Sequence, residues 1–290
     1  MAPISTDTLP FPALSAIASG HDLAAIVLVA HPDDETIAVG GRLWCWPSAS
    51  VIHLTRGAPR DPSFAHRAGY PDNRAYAECR AGELDRALQV AGVPASHRYQ
   101  LGHTDQETHL SLHEIVRDVA SLVEALEPSV IITHAYEGGH PDHDSAAFAA
   151  RAAGYWMAAR GRVAPVIVES PFYHHAGATL AICEFLPVPG SMELELELDA
   201  SQRTAKQDMF ACFESQREVL APFPTDRERF RIAPAYDFLQ PPHRGPLHYE
   251  ILGWPLKAES WRERARTALL DLGLIQPESH GSQLAVKPSQ

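Results

Sequence analysis

Short apolar runs punctuate the first 170 residues of this chain, each followed by a longer stretch in which apolar and polar positions mix. The runs are Ala24–Ala30, Val51–Thr55, Tyr99–Gly102, Val130–His134 and Val166–Val168. Runs of this length, bounded by turn residues, read as buried strands. The stretches between them read as helices. One lies near Thr36–Trp44. A second is capped by Asp72, runs through Val90 and closes at Gly92 and Pro94. A third opens on a capping box of Ser111 and Glu114 and carries Ile115, Val119, Leu122 and Leu126 on one face. A fourth spans Ser145–Ala159. Strand and helix in alternation predict an α/β fold, Rossmann-like and doubly wound, with a mostly parallel sheet in the order 3-2-1-4-5. In that order the first and fourth strands are neighbours at the topological switch point, where such sheets bind ligands.

The remainder follows another rhythm. Met192–Leu198 alternates Leu with Glu and predicts a strand with one buried and one acidic, solvated face. Ser201 caps a long helix to Leu220, and residues 222–245, rich in Pro and Arg, are expected to loop over the sheet edge. Leu247–Leu252 is expected to be a last strand and Ser260–Leu270 a last helix. The organisation expected is an irregular lead-in over 1–22, one domain over 23–275 with a β-rich C-terminal elaboration after 180, and a disordered tail over 276–290. Residues 58–71 hold three prolines and several charges and suit a mobile loop on the substrate side.

Composition narrows the class. An apolar fraction of 45% supplies a sizeable core, and a net charge of −12 without a Lys/Arg stripe argues against nucleic acid. No apolar run is long enough to span a bilayer, and no basic segment followed by an apolar one opens the chain. Cys45, Cys79, Cys183 and Cys212 form no Cys-x-x-Cys pair and read as reduced thiols of a cytoplasmic protein.

Two polar clusters carry the chemistry. Ala30-His31-Pro32-Asp33-Asp34-Glu35 follows the first strand, and His140-Pro141-Asp142-His143-Asp144 lies just beyond the fourth. Imidazole and carboxylate at this density are the ligand types of a Zn²⁺-like ion, prolines stiffen both loops, and a spare Asp offers a base for water. Either cluster alone is equally well read as acceptor-rich helix capping. Together, at one sheet edge, they leave that reading about one chance in ten, because unpaired buried charges are costly. The first strand is not followed by Gly-x-Gly-x-x-Gly, so a dinucleotide-binding reading is weak.

These two motifs resemble those of the PIG-L/LmbE-like zinc-dependent deacetylases, over roughly residues 24 to 220. The resemblance implies a hydrolase that removes an N-acetyl or other N-acyl group from an amine, commonly an amino-sugar derivative, with Zn²⁺ or Fe²⁺ as cofactor. It implies His31, Asp34 and His143 as metal ligands and Asp33 as general base. His140 resembles the residue that stabilises the oxyanion, as imidazolium in one version, and Asp142 its orienting partner. Arg80 and Asp105 resemble positions that bind the substrate's polar groups. Glu35 reads as a helix-start residue. One departure stands out: where mycothiol-type members place a Tyr two residues before His140, this chain has Gly138, and Tyr136 is the nearby phenol. Trp44 and Trp46 read as core. The partner expected is a small N-acylated substrate, with no nucleic acid and no membrane span, and assembly as a homo-oligomer stays open. The rival readings are an amidase of a larger conjugate and a non-catalytic metal-binding module.

Overall fold

The computed structural model describes residues 11–177 and 179–276. Five parallel strands come first in the chain: β1 (Ala25–Val29), β2 (Ser50–Pro59), β3 (Arg98–Asp105), β4 (Val130–His134) and β5 (Val166–Ser170). A hairpin of β6 (Tyr173–Ala176) and β7 (Thr179–Ile182) stands apart, and β8 (Glu193–Glu197) and β9 (Arg227–Ile232) extend the main sheet antiparallel. The sheet order is β3-β2-β1-β4-β5-β9-β8, so the 3-2-1-4-5 order read from the apolar runs is present. Register places Ile26 beside Ser50 on one side and Ile131 on the other, so β1 is the middle of the five parallel strands.

Helices cover both faces. They are α1 (Pro12–Ser19), α2 (Asp34–Val39), α3 (Pro62–Arg67), α4 (Asn73–Val90), α5 (Leu112–Leu126), α6 (Pro141–Ala159), α7 (Ala200–Ala211), α8 (Arg217–Leu220), α9 (His248–Ile251) and α10 (Ala258–Asp271). Alternation along β1 assigns the two cores. Val27 and Val29 join Leu14 and Ile17 of α1, Leu84 and Leu88 of α4 and Met209 of α7. Ile26 and Leu28 join Ile115 and Val119 of α5, Phe148 of α6 and Trp261 of α10. A strand buried on both faces needs apolar residues at every position, which is why Ala25–Val29 shows no polar alternation. Among the described residues, no helix is long and apolar enough to cross a membrane.

Several local expectations need correction. The lead-in holds α1, with Pro12 in its first turn and left-handed Gly20 (φ 69°) at its end; the rest of the lead-in, and the tail from 277, lie outside the described residues. Asp72 does cap α4, accepting from Ala75 N at 2.8 Å. Ser111 makes no side-chain cap on α5. The long helix expected to reach Leu220 stops at Ala211, because Glu83 of α4 captures Ser215 through both its N–H and its hydroxyl (2.7 and 2.6 Å) and turns the chain. Within 222–245, expected to be a loop, Arg227–Ile232 is an inner strand. Its charged residues hid it, and each is paired: buried Arg231 with Glu169, buried Glu228 with Lys206 and Gly41 N. Leu247–Leu252, expected to be a strand, holds the helix α9 because Glu250 folds back onto Leu247 N (2.9 Å). Of the two tryptophans expected in the core, Trp46 is buried and Trp44 is exposed.

Candidate metal centre

Both polar clusters sit where the sheet edge converges. His31–Asp33 follow β1 and lead directly into α2, and Asp34 is that helix's first residue. His140 caps α6 after β4, and His143 lies in its first turn. The fold therefore brings residues more than a hundred positions apart into contact.

His31, Asp34 and His143 face one another. His31 Nδ1 lies 3.2 Å from Asp34 Oδ2, His143 Nε2 lies 3.5 Å from Asp34 Oδ1, and the two rings are 5.3 Å apart. Donors about 2.0–2.1 Å from a tetrahedral ion are separated by about 3.3 Å, close to both Asp34 contacts, while the groups whose donor atoms all lie near one another are His31 with His140 and His143, Asp34 with His134 and His143, and His31 with Asp105, His140 and Asp142. Burial alone would raise the Asp34 carboxyl, yet His143, His134 and His31 hold it well below the usual carboxylate range. An ionised carboxylate between two imidazoles is the donor set that zinc or ferrous iron takes.

Asp33 is adjacent in sequence but turned elsewhere. Its backbone adopts φ 128°, a conformation that L-residues rarely take and that persists only where the surroundings enforce it. Those surroundings are visible. Asp33 N donates to Glu35 Oε2 (3.0 Å), which also meets His53 Nε2 at 2.9 Å, and Asp33 O accepts from Thr36 N and Ile37 N. The side chain pairs with Arg80 (Nη2 to Oδ2, 3.0 Å). Burial pushes the Asp33 carboxyl up to about 8, with Arg80 pulling the other way.

Arg80, expected to meet substrate, lines the cleft, with Nη1 and Nη2 bonded within the protein and Nε without a partner among the described residues. It donates to Pro32 O, Gly57 O and Asp33. It braces the base and the loop that carries it. Asp142 was expected to orient His140, and the geometry gives it a different charge. Its carboxylate meets His31 Nε2 at 3.2 Å and is held by Gln106 N, Thr108 N and Thr108 Oγ1. Its backbone N–H donates to His140 Nδ1 at 3.1 Å, and its Oδ2 lies 3.9 Å from the same atom. Because Nδ1 accepts, His140 is a neutral imidazole with its proton on Nε2, and burial and His31 push its pKa well down. Both observations favour the neutral ring over the imidazolium version. Asp105 lies between the two rings, with Oδ1 3.1 Å from His31 Nε2 and 3.7 Å from His140 Nε2, in hydrogen-bond geometry with no partner among the described residues.

Two residues were missed by sequence reasoning. His134 ends β4, stacks on His143 (4.0 Å, 15°) and lies 3.4 Å from Asp34, while its Nε2 accepts from Ala30 N. Burial and His143 push it down to about 3, so it is neutral. Its position as the last residue of an apolar run was the available signal. Trp254, beyond both motifs, meets His140 edge-on at 5.0 Å. No sequence signal pointed to it. Tyr136 is buried, with its hydroxyl on Gln240 O, so it does not stand in for a side chain at Gly138.

The cluster forms the floor of a cleft of about 750 Å³. Its walls come from Phe64 and Arg67 of α3, from residues 214–220 with Phe223, and from Trp254. The segment 58–71 is thus on the substrate side, as expected, but part of it is helix.

A family model described as "PIG-L: GlcNAc-PI de-N-acetylase" matches residues 26–154, the stretch from β1 through most of α6. Residues 26–154 are thus similar to a PIG-L domain. Two curated relatives from Catenulispora acidiphila are both named as 1D-myo-inositol 2-acetamido-2-deoxy-alpha-D-glucopyranoside deacetylases. One is 33% identical over 150 residues, 43% of this chain and 49% of the relative. The other is 26% identical over 245 residues, 69% and 74% respectively. The first match thus spans about half of its relative's length. A solved structure of the zinc-inhibited form of teicoplanin deacetylase aligns with 71% of this chain and 97% of its own, at 15% identity and a TM-score of 0.53, which shows the shared fold. The matched stretch ends before β5, so the walls from 214–223 and Trp254 lie outside it.

Proposed function

We propose that this chain is a metal-dependent N-deacylase, cytoplasmic, that hydrolyses the amide of a small N-acylated amine, above all an N-acetyl amino sugar. The observation that carries the reading is the division of labour at the motif: Asp34 faces two imidazoles while Asp33, its neighbour, is turned to the cleft and braced by Arg80. A closed structural metal site has no use for a spare carboxylate held in a strained conformation. The names of the curated relatives support an acetylated glucosamine derivative as substrate.

A Zn²⁺ or Fe²⁺ ion held by His31, Asp34 and His143 supplies Lewis acidity toward the amide carbonyl and acidifies a water. Asp33 takes the proton of that water as its oxygen attacks the amide carbon. His140 donates from Nε2 to the developing oxyanion, and its Nδ1 stays committed to Asp142 N. Asp33 then returns the proton to the amine nitrogen as the C–N bond breaks. Asp142 fixes the His31 ring at Nε2, opposite the Nδ1 that faces Asp34.

The test is amine release from a panel of N-acetylglucosaminides, a larger glucosamine conjugate and an acyclic acetamide, using protein reloaded with Zn²⁺ or Fe²⁺. Release of acetate and free amine from the glucosaminides, abolished by chelation, is the expected result. Turnover confined to the larger conjugate would favour the amidase reading, and none at all would leave a metal-binding module.

A further inference from the structure

We propose that Trp254 selects the substrate's ring, receiving the apolar face of a pyranose while the amide is directed to the floor of the cleft. The proposal rests on the amino-sugar reading and deepens it. Trp254 lines the cleft, is half-buried, and its ring stands at 82° to that of His140. An indole beside a polar floor offers an apolar surface next to hydrogen-bonding groups. A pyranose matches that pairing, with C–H groups on one face and hydroxyls around its edge.

Two further observations support the assignment. Asp105 also lines the cleft, is more than nine-tenths buried, and its Oδ1 faces His31 Nε2 at 3.1 Å and His140 Nε2 at 3.7 Å without closing an aligned hydrogen bond to either. A buried carboxylate oxygen left in that state fits a ligand hydroxyl. The second observation is how firmly the platform is mounted. Leu247 packs so closely over Gly138 that an added Cβ would lie 2.6 Å from Leu247 Cδ2. His248 N donates to Gly138 O at 2.9 Å, and Trp254 N to the carbonyl of buried Tyr249 at 3.0 Å. Pro255 follows and restricts the Trp254 backbone. The segment 247–254 is thus docked onto the second motif at the residue where any side chain would block it, and it delivers the indole to His140. A rigid aromatic held in this way binds with little loss of freedom.

The experiment compares metal-loaded wild type, W254F and W254A on methyl N-acetylglucosaminide and on acyclic N-acetylethanolamine. Damage to the shared machinery lowers kcat/KM for both substrates and cancels in their ratio. The preference for the glycoside should fall about threefold to tenfold in W254A, mainly through KM, and recover largely in W254F. Methyl glucosaminide, which carries no amide, should alter the tryptophan emission of wild type and leave that of W254F unaltered. Equal losses on both substrates, or an unchanged preference, would overturn the proposal. If wild type hydrolyses neither amide while the amine glycoside still alters emission through Trp254, the ring platform stands and the deacylase reading falls.

Discussion

At the level of single residues, the proposed reading separates groups that hold a cation from groups that move a proton. Arg80 illustrates the second set. It binds Asp33, Pro32 O and Gly57 O together, so its replacement by Met should leave bound metal in place and lower turnover roughly tenfold to hundredfold. A raised KM with normal kcat would instead mean that Arg80 binds substrate. Asp142 belongs to the first set. Its carboxylate lies on His31, so Asp142→Asn should weaken metal affinity about 10–100-fold, measured by competition with a chelator. Unchanged affinity, with only kcat reduced, would return Asp142 to His140. Truncation of His140 itself should spare metal content and lower kcat by about 10²–10³.

At the level of elements, most strands and helices of the first 170 residues were legible because β1 and β4 are largely apolar and each motif lies just beyond one of them. The two motifs, and their meeting at the switch point, followed from that order. What could not be read was whatever depends on partners distant in the chain. Arg227–Ile232 looks like a loop until Glu169 neutralises Arg231 and Lys206 meets Glu228. The division of roles at Asp142 was hidden for the same reason, since Thr108 and Gln106 aim its carboxylate at His31. The Gly138 departure from mycothiol-type members also becomes intelligible here. Gly138 has φ 70° and lies under Leu247. Gly138→Ala should lower stability by about 1–3 kcal/mol, read from the midpoint of urea unfolding. Leu247→Ala made in the Gly138→Ala protein should recover part of that loss, because it removes the collision and leaves the backbone strain. No loss in the single variant would contradict the docking described for residues 247–254.

Across the whole molecule, the stretch that matches the family model supplies the floor of the cleft and one wall, at Phe64 and Arg67, and the C-terminal segments supply the others. Chemistry and selectivity therefore reside in different parts of the chain, and changes at the walls should alter which amide is cut without altering the metal. The claim on which everything rests is that Asp33 acts on the proton while His31, Asp34 and His143 act on the ion. Metal content by elemental analysis, taken together with amine release from N-acetylglucosamine in Asp33→Asn and His143→Ala, tests it most directly. The account predicts that Asp33→Asn keeps its metal and loses roughly 10²–10⁴ in turnover, and that His143→Ala loses both. Full metal occupancy in His143→Ala, or near-normal turnover in Asp33→Asn at saturating substrate, would contradict it.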